Sequence, residues 1–291
     1  ALAAFDLKTG AILWQRWIDS DVMSAPVAHG RVVYATSFAG TLYAFDQHEG
    51  TILAARAAQA TSAPVVAGRT VYYTSRQDQE GEVREGIAYC HAGGDGPSGT
   101  YSRPAPYLNR AVQKKSKYDG ESTQWDAANG FSAGAPAAAK AGVAAALVGQ
   151  GSVASLQAFQ GSRLLSLGGL NINTMGDEVL ATDAKGQKRW SYKLTGDVHA
   201  AGGFLAAPPI AAGGKILVGT LQGDVQAVDP ASGKRVATYP VGSPIRSQPV
   251  VHAGWIYVGT NDGKLVAIDT GDQALTGWTT WGRNAARSGS L

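Results

Sequence analysis

Ser247-Gln-Pro-Val-Val-His-Ala-Gly254, Trp255-Ile-Tyr-Val-Gly-Thr260, Asn261-Asp-Gly263 and Lys264-Leu-Val-Ala-Ile-Asp269 follow one another without interruption. Short β-branched and aromatic runs split by Gly-containing turns predict antiparallel strands joined by hairpins. Pro249 and Asp269 bracket this unit twenty residues apart, and Pro26 with Asp46 and Pro209 with Asp229 repeat the interval. The stretch Ala25–Asp46 has the same parts: Pro26-Val-Ala-His-Gly30, Arg31-Val-Val-Tyr-Ala-Thr-Ser37 and Gly40-Thr-Leu-Tyr-Ala-Phe-Asp46. A further strand follows the aspartate after a turn, as Asp6–Gly10 leads into Ala11-Ile-Leu-Trp14. A unit of about forty residues cannot bury its own apolar face, so neighbouring copies must stack to make the core. Four strands per unit predict an all-β chain, a β-propeller of four-stranded antiparallel blades.

The turn after each third strand has its own chemistry. An Asp side chain accepts hydrogen bonds from amides two and three residues on, and a closing Gly takes a positive φ that other residues resist. Asp6 with Gly10, Asp46 with Gly50, Asp229 with Gly233 and the shorter Asp183 with Gly186 fit this pattern, and Asp269 holds the same place in the last unit. Trp14 and Trp190 stand four residues beyond the Gly, where a flat ring can dock between adjacent sheets. Ala54 and Ala237 hold that place elsewhere, so the tryptophan is not obligatory.

Ala4-Phe-Asp6-Leu-Lys-Thr9-Gly10-Ala-Ile-Leu-Trp14 resembles the tryptophan-docking motif of the quinoprotein-type (PQQ-like) propeller family, and Ala181-Thr-Asp183-Ala-Lys-Gly186 with Trp190 is a copy one residue shorter. The resemblance covers residues 1 to 91 and roughly 153 to 281. It implies one of two functions: a pyrroloquinoline-quinone-dependent dehydrogenase, or a cofactor-free scaffold such as the BamB lipoprotein of the outer-membrane β-barrel assembly machine. The dehydrogenases set a vicinal cysteine pair against the cofactor beside calcium and a catalytic Asp; the single Cys90 cannot supply that pair, and the chain is about half the length of such enzymes.

The repeats predict five and a half blades in one propeller domain over 1–291: a half-blade at 1 to 17, a full blade at 24 to 57, and a third from Pro64 whose third strand is delayed to Gly86–His91. A degenerate blade follows at about 153 to 194, with two regular ones from about 206 and 247. Beginning mid-blade at Ala1-Leu2, the chain reads as processed or incomplete, with six to eight blades expected in the whole and any export signal or lipid anchor upstream.

The composition fits a globular domain, with 44% hydrophobic and 16% charged residues and 38 Gly for a chain rich in turns. The net charge of 25 minus 22, or +3, is too small to argue for nucleic acid. No apolar run approaches the roughly 18 residues of a membrane span. A lone Cys90 excludes an internal disulfide framework and any CxxC motif.

Candidate chemistry is sparse, and no catalytic, cofactor or metal residue is expected. His29 and His252 share one turn position of two repeats, His48 lies in the Asp46–Gly50 turn, and His199 in a Gly-rich connection. His91 beside Cys90 falls on a strand whose neighbouring side chains point to opposite faces. Gly168-Gly169 and Gly213-Gly214 lack the context of a phosphate loop. Asn171-Ile-Asn-Thr-Met-Gly-Asp177 lacks calcium-loop spacing and reads as a plain inter-strand loop.

Residues 92–152 break the period and read as a long insertion between blades. Gly93–Gly99 is a flexible lead-in, Tyr101–Tyr118 is aromatic and basic, and Ala135–Leu147 has a helix-favouring composition. Loop excursions of this length are usually either functional or disordered, so the segment reads either as a solvated or packed structural insert or as a partner-binding surface, with Tyr101, Arg103, Tyr107, Arg110, Lys114, Lys115, Lys117, Tyr118 and Trp125 as its candidate residues. The alternative for its aromatics is a carbohydrate or small-molecule site. The expected function is a non-catalytic scaffold binding proteins of a larger assembly, in the periplasm, at the outer membrane or outside the cell.

Overall fold

The computed structural model describes residues 1–22, 25–37, 39–79, 82–92, 98–104, 164–198, 200–201, 204–280 and 283. These form a β-propeller: antiparallel sheets follow one another along the chain, each built from consecutive strands, with no helix among the described residues. Half-blade 1 pairs β1 (Leu2–Phe5) with β2 (Ile12–Arg16). Blade 2 holds β3 (Val27–His29), β4 (Val32–Thr36), β5 (Thr41–Asp46) and β6 (Ile52–Ala57). Blade 3 holds β7 (Val65–Ala67), β8 (Thr70–Gln79), β9 (Glu82–His91) and β10 (Gly99–Pro104). Blade 4 holds β11 (Leu164–Leu167), β12 (Leu170–Met175), β13 (Glu178–Asp183) and β14 (Lys188–Lys193). Blade 5 is β15 (Ile210–Ala212), β16 (Lys215–Gly219), β17 (Asp224–Val228) and β18 (Arg235–Pro240). Blade 6 is β19 (Val250–His252), β20 (Trp255–Gly259) and β21 (Leu265–Asp269). A two-residue strand, β22 (Gly277–Trp278), then returns to pair with β15.

Strand alternation sends each blade's apolar residues to two faces, one toward the preceding blade and one toward the next. Leu42 and Ala44 of blade 2 meet Val66, Val71, Tyr73, Ala88 and Cys90 of blade 3 in one such seam. Ile210, Leu217, Val225 and Ala227 of blade 5 meet Val251, Ile256 and Val258 of blade 6 in another. The core is thus a series of seams between sheets, as a stack of units with no private core requires.

Four readings from the sequence are corrected here. The third strand of blade 3 is lengthened rather than delayed: β8 and β9 pair continuously from Thr70 opposite His91 to Gln79 opposite Glu82. The presumed insertion at 92–152 returns to the repeat at once, because Gly99–Pro104 pairs with Arg84–Tyr89 as the blade's fourth strand. The presumed loop at Asn171–Asp177 is mostly the central strand β12, held on both sides by β11 and β13, so blade 4 is complete rather than degenerate. Asn favours turns as an isolated residue, but ladder pairing and burial override that preference. Among the described residues blade 6 has three strands rather than four: Gly271 stands only two residues after Asp269, so the turn that launches a fourth strand in blades 2, 4 and 5 is not repeated, and the chain leaves along another path.

Candidate interaction site

Local chemistry sets each blade turn. Asp6 Oδ1 accepts the amides of Lys8 (3.0 Å) and Thr9 (2.7 Å), and Asp46 Oδ1 those of His48 (2.8 Å) and Glu49 (3.0 Å). Asp183 Oδ1 accepts those of Lys185 and Gln187, both at 2.9 Å, Asp229 Oδ2 that of Ser232 at 2.9 Å, and Asp269 Oδ1 that of Gly271 at 2.9 Å. The Thr9 hydroxyl, the Glu49 amide and the Ser232 hydroxyl are the main causes that hold the carboxyls of Asp6, Asp46 and Asp229 below the usual value. Gly10, Gly50, Gly186 and Gly233 close their turns at φ of 71°, 67°, 77° and 70°.

Two of these glycines carry a second constraint. A Cβ on Gly50 would lie 2.4 Å from Cδ2 of Trp14, and one on Gly233 would lie 2.6 Å from Cδ2 of Trp190. Each indole also donates across the seam, Trp14 Nε1 to the Gln47 carbonyl at 2.9 Å and Trp190 Nε1 to the Pro230 carbonyl at 2.8 Å. The ring on a fourth strand therefore seats on the turn of the next blade, through both a bare glycine and a backbone carbonyl. Ala54 and Ala237 precede blades whose turns lack the Asp-to-Gly spacing of Asp46–Gly50.

Tyr101, expected to face a partner, lies instead on β10, half-buried against the core shared by blades 3 to 5. Its Cβ would be 3.2 Å from a Cβ on Gly186, so it covers the turn of blade 4 as Trp14 and Trp190 cover theirs. Arg103 belongs to β10 as well, opposite Glu85 in the ladder. Tyr107, Arg110, Lys114, Lys115, Lys117, Tyr118 and Trp125 lie outside the described residues.

The feature that the repeat pattern did not foretell is the arm of blade 3. Its central strands have ten residues each, against five or six in blades 2, 4 and 5. The four or five extra residues per strand carry the hairpin roughly 13 to 16 Å past the rim at about 3.3 Å per residue. At its root Arg76 Nη2 lies 3.8 Å from Oε1 of Glu85, whose side chain is fully buried. Arg84 Nε donates to the Ser102 hydroxyl and its Nη2 to the Ser102 carbonyl, both at 3.2 Å. A Cβ on Gly86 would fall 2.0 Å from the Tyr101 carbonyl oxygen, so β9 and β10 meet closely only because residue 86 is Gly. In the sequence only the apolar ends of the arm stand out, Thr70–Thr74 and Gly86–His91, while the charged residues Arg76, Asp78, Glu80 and Glu82 between them obscure the continuous pairing.

Beside the arm, the seam between blades 3 and 4 carries polar side chains on its blade 4 side, among the apolar Val65, Tyr72, Ile87 and Leu180. Asn171 lies opposite Thr182 in the ladder, and Asn173 is two residues along on the same face. All three are buried, and among the described residues Asn171 Oδ1, both polar atoms of the Asn173 side chain and Thr182 Oγ1 have no hydrogen-bond partner. The corresponding positions of blade 5 are Ile216, Val228 and Val218.

The remaining titratable groups do not converge. Among the described residues no group of three or more His, Cys, Asp or Glu side chains is placed to hold a metal ion. Cys90 is buried in the seam between blades 2 and 3, and burial pushes its thiol pKa up. His29 and His252 end the first strands of blades 2 and 6, His91 ends β9, the His48 amide serves the Asp46 turn, and His199 lies outside the described residues.

The family model described as outer membrane protein assembly factor BamB matches residues 1–90 and 175–288. Among solved structures, the crystal structure of BamB from Moraxella catarrhalis aligns at a TM-score of 0.43 with 14% identity, over 91% of this chain and 75% of that one. No curated protein matches the sequence.

Proposed function

The chain belongs to the family of the outer membrane protein assembly factor BamB, and from that membership we propose that it is a non-catalytic scaffold that binds other proteins of an outer-membrane assembly complex from the periplasmic side. The observation that carries the reading is the family match itself, which spans the repeats on both sides of the non-repeat segment. The structure supports it in how the polar groups are used: the recurrent carboxylates hold turn amides, and the single thiol is buried in a seam. Scaffolds of this kind offer rigid sheets with variable rims. The blade 3 arm is the largest departure from the repeat among the described residues, and the sequence that follows it, from Tyr107 and Arg110 through Lys114, Lys115, Lys117 and Tyr118 to Trp125, supplies the partner surface in this reading.

Capture from a detergent-solubilised outer-membrane extract tests it. The immobilised chain is expected to retain components of the β-barrel assembly machinery, and replacing residues 105–163 by a short Gly-Ser bridge is expected to abolish capture with little change in melting temperature. Lys114→Glu, Lys115→Glu and Lys117→Glu together should weaken capture more at low salt than at high, since exposed charges act through screened fields. Turnover of an alcohol or sugar with pyrroloquinoline quinone and calcium, without capture of any assembly component, would replace the scaffold with an oxidoreductase.

A further inference from the structure

After β21 the described residues add no fourth strand to blade 6; the chain turns in toward the propeller axis. Thr270 binds the carbonyl of Gly254 through its amide (3.1 Å) and its hydroxyl (2.6 Å), which holds the chain beneath the first hairpin turn of blade 6. Leu275, only 4% exposed, then packs under the matching turn of blade 5, where a Cβ on Gly213 would lie 2.8 Å from its Cδ2. Gly277 and Trp278 pair with Ala212 and Ala211 on the free edge of β15.

That edge is the inner one. Each blade's first strand is its innermost, because β3 touches β7, β7 touches β11 and β11 touches β15, as converging strands around an axis must. The Gly213 amide donates to the Thr276 carbonyl at 3.1 Å, and the Val251 amide on β19 donates to the Thr279 carbonyl at 2.8 Å. One short segment thus satisfies inner-edge amides of two neighbouring blades. Its Trp278 is 4% exposed and joins the cluster containing Val65, Tyr72, Leu164 and Ala211, which draws on blades 3, 4 and 5.

We propose that residues 275–280 are an axial clasp, a strand laid inside the channel that bonds β15 to β19, fills the axis with the Trp278 ring, and holds the three-stranded blade 6 to the rest of the propeller. Among the described residues blade 6 has no outer strand whose ring would lock it to a neighbour, and the clasp supplies an attachment from the inside. Gly277 is what permits it: its φ is 139°, and a Cβ there would lie 2.7 Å from the Ala211 carbonyl oxygen. The inference is independent of which partner the scaffold binds.

Residue-resolved hydrogen exchange on the full chain tests the clasp. In the unmodified protein the amides of Gly213 and Val251 are expected to exchange slowly, like the central ladder amides of β16 and β20, and exchange as fast as in open turns overturns the proposal without any variant. Gly277→Val is expected to raise exchange at these two positions by about tenfold or more, while the β4–β5 and β12–β13 ladders keep their protection. If that variant does not fold, Trp278→Ala serves: selective loss of protection in β15 and β19 supports the clasp, and unchanged protection there refutes it.

Discussion

The seam between blades 4 and 5 and the seam between blades 3 and 4 occupy equivalent positions, the first filled by apolar side chains and the second by a mixture of apolar and amide side chains. In the first, Leu165, Ile172, Val179 and Ala181 meet Ala211, Ile216, Val218 and Val228, and the Trp190 indole locks the outside against Gly233. In the second, blade 4 presents Asn171, Asn173 and Thr182 where blade 5 presents Ile216, Val218 and Val228, and a tyrosine replaces the tryptophan. The backbone ladder is the same in both, so the repeat specifies strand pairing while leaving the filling of each seam free to vary. The difference also falls where blades 3 and 4 are joined through residues 105–163 instead of a short linker. A chain of nearest-neighbour interfaces is as strong as its members separately, and these two should differ in strength.

The largest effect should come from attacking the locks. Gly233→Val forces a side chain into the Trp190 ring at a positive φ, and a loss of about 3 kcal/mol is expected in denaturant titrations. Gly186→Val on the polar seam meets only the Tyr101 Cβ at 3.2 Å and should cost about half as much, chiefly from backbone strain. Equal losses would mean that the two locks are equally tight and the contrast is illusory.

A change of opposite sign is expected from filling the polar seam. Asn171→Ile, Asn173→Val and Thr182→Val together copy blade 5 and remove buried polar atoms that have no partner, so they should raise stability by about 2 kcal/mol. A lower melting temperature would show that these groups find partners in the folded protein and that the seam is a satisfied polar interface.

The smallest effect concerns the turns beneath the locks. The carboxyls of Asp6, Asp46 and Asp229 titrate below their ordinary 3.8, so their stabilisation is present above that value and lost as pH falls through the lowered folded-state pKa. Asp229→Asn should therefore flatten the acid limb of the stability profile slightly, while leaving the neutral region nearly level. An unchanged acid limb would remove Asp229 from the account of the blade 5 turn.

The period was legible because it is written in local chemistry. Asp46 needs only the amides of His48 and Glu49, and Gly50 only its own φ, so both announce themselves in a single sequence. Asn171 and Asn173 did not, because the ladder that makes them strand residues comes from β11 and β13, remote in preference from anything Asn signals alone. Tyr101 looked like a surface aromatic because Gly93–Gly99 precedes it and Pro104 follows, whereas its real neighbour, Gly186, is 85 residues away. The axial course of residues 275–280 was equally hidden, since its partners Gly213 and Val251 become adjacent only once the blades converge.

Cys90 gives the molecule a built-in gauge. Its side chain lies in the apolar seam of blades 2 and 3, and a thiol whose ionisation is suppressed by burial reacts with alkylating reagents only after exposure. With no other cysteine in the chain, the rate of native-state labelling reads the opening of that one seam as a clock. Comparing that rate before and after a partner is added would tell whether binding tightens or loosens that joint.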